Sequence, residues 1–223
     1  MYNTIQLGKK VISAEEIIPL LKKYHILPKL LRESILDEVI LPYEYTSEEV
    51  ANACQLATQE QSGMNQADFT ELISRRIKVE KFKQATWGNK IDSYFFQRKT
   101  KLDKVIYSLL RTKNLGLAQE LYFRIQEGEQ TFFELAQAYA EGTDAQTGGL
   151  CGPVELGQLP EAIAYILKTR QPGQLCQPIC MGEWLVIIRL EKLITAQLDT
   201  AMRQRLLDEL FENWLQTEVS KFN

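Results

Sequence analysis

Histidine is almost missing from this sequence, because His25 is the only one among 223 residues. Imidazole acid–base chemistry therefore has a single carrier, and a metal site built from several histidines is excluded. Cysteine is also scarce. The four cysteines are Cys54, Cys151, Cys176 and Cys180. No export signal is recognised at the start of the sequence, so free thiols are expected.

Long apolar runs are missing too, and none approaches the roughly 20 residues that cross a bilayer. No apolar run follows the basic pair Lys9 and Lys10, so we expect no secretory signal, no membrane span and a cytoplasmic location. The net charge of −3 gives no overall reason to bind nucleic acid. With 45% hydrophobic and 25% charged residues, the composition is that of an ordinary globular protein.

Residues 12–100 carry helical patterns. Two capping boxes, Ser13 to Glu16 and Thr46 to Glu49, each precede an apolar run, and a third, Thr131 to Glu134, lies further along the chain. Residues 69–95 repeat apolar side chains at helical spacing, and Gly88-Asn89 is expected to kink or interrupt that helix. A break is also expected at Ser62-Gly63. Residues 195–221 form one further amphipathic helix, which must dock on another apolar surface to be stable.

Residues 102–193 have a different pattern, which predicts a strand, two helices, a glycine-rich loop, a helix and two strands. The first strand covers Lys104 to Leu110, and the loop runs from Gly142 to Gly152. Pro160 is expected to open the third helix. Leu175 to Cys180 and Trp184 to Leu190 are expected to pair as the closing strands.

This segment resembles the parvulin family of peptidyl-prolyl cis–trans isomerases. Phe133-Glu-Leu-Ala-Gln-Ala-Tyr-Ala-Glu141 is similar to the family's "FxELAxxYSE" helix, and Gly148-Gly-Leu-Cys-Gly152 stands where parvulins carry "GGDLG". Gly157-Gln158-Leu159 resembles the "GQM" step, and Pro172 to Pro178 resembles "KPGEISGPV". Such fragments occur in the family's order over about ninety residues, which implies a parvulin fold.

The resemblance also implies the site residues. Parvulins hold the proline against an apolar wall, which here would be Leu159 and Ile163, supported by Leu135 and Tyr139. The family's two histidines fall on Ser108 and Leu185. Its cysteine or aspartate falls on Gly142, Thr143 or Asp144, depending on where the loop gap lies, and its "GGDLG" aspartate becomes Leu150. The candidate catalytic residues are therefore Ser108, Leu185 and Cys151, and a one-residue slip of the first strand remains open.

The helical flanks are similar to the SurA-type chaperone layout. The expected class is α+β, with a mainly helical domain at 1–101, a parvulin-like antiparallel β/α domain at 102–193 and a C-terminal helix at 194–223 that packs on the helical domain. The expected partner is a polypeptide client with proline-containing or apolar segments. We expect no cofactor and no metal, and the spacing of Cys176 and Cys180 favours two buried small residues over a ligand pair.

The resemblance implies a peptidyl-prolyl isomerase and foldase whose activity is weak, because both family histidines are replaced. The alternative is a non-catalytic chaperone or adaptor for a secreted or maturing polypeptide. A third reading is a dedicated partner of one secreted peptide. The basic run at 75–104 is interpreted as a solvated helix face rather than a nucleic-acid site, because no recognition motif accompanies it.

Overall fold

The computed structural model describes residues 4–7, 10–57 and 65–222. The chain divides into two compact units. Unit 1 combines residues 1–92 with residues 199–223, and unit 2 spans residues 93–198. The divisions predicted from the sequence lie at 101/102 and 193/194. The break predicted at Ser62-Gly63 lies outside the described residues.

Unit 1 is mainly helical. Its helices are α1 (Ala14–Lys23), α2 (Leu27–Ile40), α3 (Ser47–Leu56), α4 (Gln66–Trp87) and, from the far end of the chain, α9 (Thr200–Ser220). A two-stranded antiparallel hairpin, β1 (Thr4–Leu7) and β2 (Lys10–Ser13), precedes α1. This strand pair was not predicted from the sequence. None of the helices in the described ranges is both long and apolar enough to cross a membrane.

Local capping fixes where several helices begin. The Thr46 backbone N–H donates to the Glu49 carboxylate at 2.8 Å, and the Glu49 N–H donates to the Thr46 hydroxyl at 3.2 Å. The same reciprocal pair joins Thr131 and Glu134 at 2.9 and 3.2 Å. These bonds satisfy backbone donors that have no partner inside the helix. The capping boxes read from the sequence are therefore confirmed at these two positions.

The buried face of α9 completes the core of unit 1. Leu206, Leu207, Phe211 and Leu215 are buried on it, and α9 packs on α2 and α4. Phe211 belongs to an aromatic cluster with Phe82, Trp87 and Trp214, in which neighbouring ring centroids lie 5.2–6.4 Å apart. Edge-to-face rings at this spacing add stabilisation beyond their buried area.

Several basic side chains of the 75–104 run form ion pairs between helices. Lys83, which is buried, contacts Glu80 at 2.6 Å and Asp208 of α9 at 2.8 Å. Arg75 contacts Glu33 and Asp37 of α2 at 2.8 and 2.9 Å. These charges link helices rather than forming an open basic face.

Unit 2 consists of α5 (Ile91–Leu102, which enters it at Ser93) followed by a four-stranded sheet and three helices. In chain order these are β3 (Lys104–Thr112), α6 (Leu115–Gln126), α7 (Phe132–Tyr139), β4 (Leu150–Glu155), α8 (Glu161–Lys168), β5 (Ile179–Met181) and β6 (Trp184–Ile194). The strand order is β4-β3-β6-β5, and each neighbouring pair is antiparallel. The predicted α+β class with an antiparallel β/α segment is confirmed.

The sheet of unit 2 has two covered faces. One packs on α8; we call it the α8 face. It carries Val105, Tyr107 and Leu109 of β3 and Val186, Ile188 and Leu190 of β6, with Ile163 and Leu167 from the helix. The other, the α7 face, carries Leu110 and Ile187 together with Leu121 of α6 and Phe132, Leu135 and Ala136 of α7. Successive strand residues alternate between the two faces, as the pleat requires.

Two strand predictions need correction. The predicted loop Gly142 to Gly152 runs directly into β4, whose glycine, proline and partly exposed positions give no alternating signal. The first closing strand is shorter than predicted, because only Ile179–Met181 forms a continuous ladder. Leu175 makes a single bridge to Arg189. The interruption predicted at Gly88-Asn89 is confirmed, since a single 3₁₀ turn separates α4 from α5 there.

Candidate functional site

Tyr107 of β3 lies directly opposite Cys151 of β4 in the antiparallel register. The Tyr107 side chain is 7% exposed and belongs to the apolar cluster against which Cys151 packs. Cys151 is half-buried, and its sulfur also lies 3.5 Å from the Gly149 carbonyl oxygen. A hydroxyl and a thiol therefore meet on the α8 face.

An ion pair lies beside these two groups. Arg111 Nε lies 2.5 Å from Asp144 Oδ2, and Arg111 Nη2 donates to Asp144 Oδ1 at 3.0 Å. The Asp144 side chain is only 11% exposed. A guanidinium that meets both oxygens of a carboxylate fixes its orientation as well as its charge. The pair ties the loop after α7 to strand β3.

Gly142 permits the loop after α7 to approach Arg111 closely. Its backbone φ of +151° is one that residues other than glycine rarely adopt. A Cβ added there would lie 3.0 Å from Arg111 Nε. The Arg111 carbonyl oxygen also accepts from the Glu141 N–H at 2.9 Å. The loop is therefore held on Arg111 by its backbone and by the Asp144 carboxylate.

Trp184 lies beside two cations. Its ring centroid is 5.8 Å from the Arg111 guanidinium carbon and 4.6 Å from Lys113 Nζ. The Lys113 ammonium also contacts the Glu183 carboxylate at 2.8 Å. Cations at these distances are attracted to the face of an indole. Trp184 is partly buried against the apolar cluster of the α8 face, so it joins that cluster to the charged pair.

The thiol and the phenol are both held in their neutral forms. Burial raises the pKa of Tyr107 to about 12, with the neighbouring Cys151 adding to the effect. Burial also raises the pKa of the Cys151 thiol, and the Asp144 charge raises it further. Contact with Tyr107 and the Arg111 charge oppose that rise. At neutral pH this site therefore offers an S–H and an O–H rather than a thiolate nucleophile.

The apolar part of the site comes from the turn before α8 and from α8 itself. Pro160 is the N-cap of this helix, as its position in the sequence predicted. Ile163 is buried in the cluster of the α8 face, and Leu159 is partly buried against it. Both belong to the same apolar cluster as Tyr107 and Cys151. The structure thus brings Leu159, Ile163 and Cys151 to one face of the sheet.

Three other predicted site residues lie on the opposite face. Ser108 and Leu185 share the side of their strands with Leu110 and Ile187, which belong to the α7-face cluster, and Leu135 is buried in that cluster. The expectation that Ser108 and Leu185 lie beside Leu159 and Ile163 is therefore corrected. A shift of one strand residue changes the face of the sheet, and the α8-face residue next to Ser108 is Tyr107.

Ser108 has a partner on its own face. Its hydroxyl donates to the Glu191 carboxylate at 2.5 Å, and Arg189 Nε contacts the same carboxylate oxygen at 2.7 Å. The Arg189 guanidinium carbon lies 5.3 Å from the centre of the Phe132 ring of α7. This network joins the sheet to α7. Tyr139, the remaining predicted residue, lies at the end of α7 and is 39% exposed.

Sequence reasoning missed Tyr107 and Arg111 and did not choose among the loop positions. Of Gly142, Thr143 and Asp144, the structure brings Asp144 into the ion pair with Arg111. Leu150, at the former "GGDLG" aspartate, is 53% exposed. Strand alternation is the signal that could have found Tyr107 and Arg111. Val105, Tyr107, Leu109 and Arg111 occupy alternate positions of β3 and therefore lie on the same side of the strand. Tyr107 and Arg111 are the polar members of that series.

The structure also describes the surroundings of the single histidine and of the remaining cysteines. His25 is exposed in unit 1, at the turn between α1 and α2, with φ at 56°. Cys176 is buried in the α8-face cluster, but Cys180 is exposed, so only one of the two is the buried small residue expected. All four thiols are free. Within the described part of the chain, no three His, Cys, Asp or Glu side chains are grouped to hold a metal ion.

Comparison with known proteins identifies the family of this sheet unit. Residues 110–192 match the model of the PPIC-type PPIASE (rotamase) domain. They therefore form a parvulin-type peptidyl-prolyl isomerase domain. Helical segments precede and follow that domain in the sequence.

The chain is also similar to solved structures. The peptidylprolyl isomerase PrsA from Bacillus cereus shares 18% identity over 98% of this chain and 91% of that chain, with a TM-score of 0.49. The parvulin domain of PpiD from Escherichia coli shares 23% identity over 44% of this chain and 95% of that one, with a TM-score of 0.39. One of two SurA-like chaperones of Campylobacter jejuni shares 14% identity over 98% and 95%, with a TM-score of 0.41. No curated protein matches the chain.

Proposed function

We propose that the parvulin-type domain binds proline-containing segments of non-native polypeptides at the partly exposed edge of its α8 face, beside Leu159 and Cys151, and isomerises the X–Pro bond slowly. The observation that carries this proposal is the composition of that face. Leu159 and Ile163 supply an apolar wall beside the Tyr107–Cys151 pair and the Arg111–Asp144 ion pair. Unit 2 contains no imidazole, because the only histidine is His25 in unit 1.

The apolar wall supports binding. A proline ring buried against Leu159 and Ile163 leaves water, which contributes about 25 cal/mol for each Å² of apolar surface. Leu159 is partly exposed, so it presents surface to a ligand, whereas Ile163 is 8% exposed and supports it from beneath. A segment of unfolded chain rich in proline or apolar residues fits such a wall.

The polar groups support only modest catalysis. Rotation of an X–Pro bond crosses a barrier of about 18–20 kcal/mol without forming or breaking a bond to carbon. A catalyst must therefore exclude water and stabilise the twisted amide more than the planar one. The neutral Cys151 thiol and Tyr107 phenol are hydrogen-bonding groups that this face supplies for that purpose. A thiol is a weak donor, so we expect a small rate enhancement.

Exchange spectroscopy on a short X–Pro peptide tests this function. With the full-length chain, we expect binding to the α8 face and faster cis–trans exchange than in buffer. Leu159→Asp should remove both effects, because it puts a charge into the apolar wall. Leu115→Asp is the matched control, since Leu115 is 57% exposed on α6. Equal loss in both variants, or no loss in either, would contradict the assignment to the α8 face.

The absence of imidazole from unit 2 also favours a second candidate, a non-catalytic chaperone or adaptor. In that case the α8 face binds proline peptides without accelerating their exchange. The same experiment separates the two functions. Binding with an exchange rate equal to that in buffer identifies the adaptor, and binding with faster exchange identifies the isomerase.

A further inference from the structure

Unit 2 contains a second concave surface that touches the proposed peptide site. It lies between α5 and α8 and has a volume of about 660 Å³. We call it the α5–α8 groove. Its lining includes Gln97, Thr100, Lys101, Leu159, Tyr165 and Lys168. This volume falls within the range of pockets that bind small ligands or short stretches of chain.

Leu159 connects the groove to the proposed proline site. The same side chain packs against the α8-face cluster and lines the groove. A polypeptide whose proline rests on Leu159 therefore has the groove next to it. An extended residue advances by about 3.3 Å, so a few residues beside the proline are enough to enter it.

The groove has the surface chemistry of a peptide subsite. Tyr165 is 69% exposed and presents an aromatic side chain of the kind enriched where binding energy concentrates. Gln97 and Thr100 supply side-chain donors and acceptors for peptide groups. An apolar core pocket would not carry this mixture. A mixed lining suits an extended chain, whose backbone needs hydrogen bonds along its length.

Charge indicates which side chains would enter. Two ammonium groups, Lys101 and Lys168, line the groove against one carboxylate, Glu161. All three residues are exposed. This excess of positive charge favours a segment that carries an Asp or Glu near its proline and disfavours one that carries Lys or Arg there.

We propose that the α5–α8 groove is a flanking subsite of the peptide site, which takes residues on one side of the client's proline and selects an acidic side chain among them. This inference rests on the proposed function, because it concerns the same bound polypeptide. It names a specificity that the family assignment does not supply.

The test uses the full-length chain and a set of synthetic peptides. A short peptide carries one X–Pro step, and longer peptides extend it by four residues on either side with Glu or with Lys. We expect one Glu-extended peptide to bind about tenfold more tightly than the short peptide, and its Lys counterpart to gain little. The combined variant Lys101→Glu, Lys168→Glu should abolish the gain while leaving the short peptide's affinity unchanged. Tyr165→Ala should reduce the gain severalfold.

Matched controls lie elsewhere on unit 2. Lys192→Glu changes an exposed charge at the end of β6, and Phe123→Ala removes a side chain that is 58% exposed on α6. Neither should alter the gain from extension. The subsite is refuted, while the proposed function stands, if the short peptide binds but neither Glu extension adds affinity. The same conclusion follows if the combined Lys101 and Lys168 variant weakens binding of the short and the extended peptides equally. If no peptide of either length binds, the proposed function fails and the subsite fails with it.

Discussion

Tyr107 and Cys151 are cross-strand partners on the face of the sheet that also carries Leu159 and Ile163. The phenol and the thiol pack in one apolar cluster, and both are neutral at physiological pH. The side chains of directly opposed residues in an antiparallel pair lie close together, so each one determines the surroundings of the other. A substitution at either residue should therefore alter the surroundings of the other.

The first prediction concerns this pair. Cys151→Ala and Tyr107→Phe each remove one hydrogen-bonding group, and under the proposed function each should lower the protein-dependent exchange rate of an X–Pro peptide by about 2- to 10-fold. The double variant should lose less than the product of the two single losses, because the groups contact each other. Tyr122→Phe on α6 is the control and should leave the rate unchanged. Additive losses would show that the two residues act separately.

The second prediction concerns pH. The pKa of Tyr107 is raised to about 12 and that of Cys151 is raised as well, so neither group changes its charge between pH 5 and about 8. The exchange rate should be flat over that interval. Because the folded chain favours both protonated forms, their contribution to stability is complete below the ordinary thiol pKa and declines as pH rises through the folded values. A sigmoidal rate profile centred near 6.5 would mean that another group controls the rate.

The third prediction concerns the replaced histidines. Ser108→His combined with Leu185→His should not increase the exchange rate, because both residues lie on the α7 face. The Ser108 change also breaks the 2.5 Å hydrogen bond to Glu191, which should cost about 1–3 kcal/mol of unfolding free energy. Tyr107→His is the informative counterpart, because it places an imidazole beside Cys151. That variant should acquire a pH-dependent rate, and a rate gain in the Ser108, Leu185 variant would contradict the face assignment.

The fourth prediction concerns the stability of unit 1. Phe211 is 4% exposed and contacts the rings of Phe82, Trp87 and Trp214, so Phe211→Ala should lower the free energy of unfolding by about 3–5 kcal/mol. Phe222→Ala is the control, because Phe222 is 63% exposed; it should change the free energy by less than about 0.5 kcal/mol. Chemical denaturation followed by tryptophan fluorescence measures both. Equal effects would show that the aromatic cluster does not stabilise α9.

Much of the fold could be predicted because its signals are local. The Thr46 and Thr131 capping boxes and the Gly88 interruption each depend on neighbouring residues, and the structure shows each of them. The β1–β2 hairpin and β4 were not predicted, because the residues within each strand give no clear local strand signal. The strand β4 depends on its ladder with β3, and Gly152 and Pro153 within it argue locally against a strand.

The site could be predicted only where the sequence determines which face of the sheet a residue reaches. Leu159 and Ile163 reach the α8 face because Pro160 fixes where α8 begins. Ser108 and Leu185 do not reach the α8 face. The spacing of the family's motifs leaves the register of a strand uncertain by one residue, and a shift of one residue moves a side chain to the opposite face. The Arg111–Asp144 pair joins residues 33 positions apart in sequence. Only the folded loop brings them together.

The position of Pro153 in β4 has a consequence for how this domain meets unfolded chains. β4 is one edge of the sheet and β5, with three residues, is the other. Proline has no backbone N–H to offer to an incoming strand, and a three-residue edge is too short to template one. Both borders of the sheet therefore discourage strand addition and co-aggregation. A polypeptide bound at the proposed site would therefore be held by side chains of this domain, and it could leave without breaking a β-ladder.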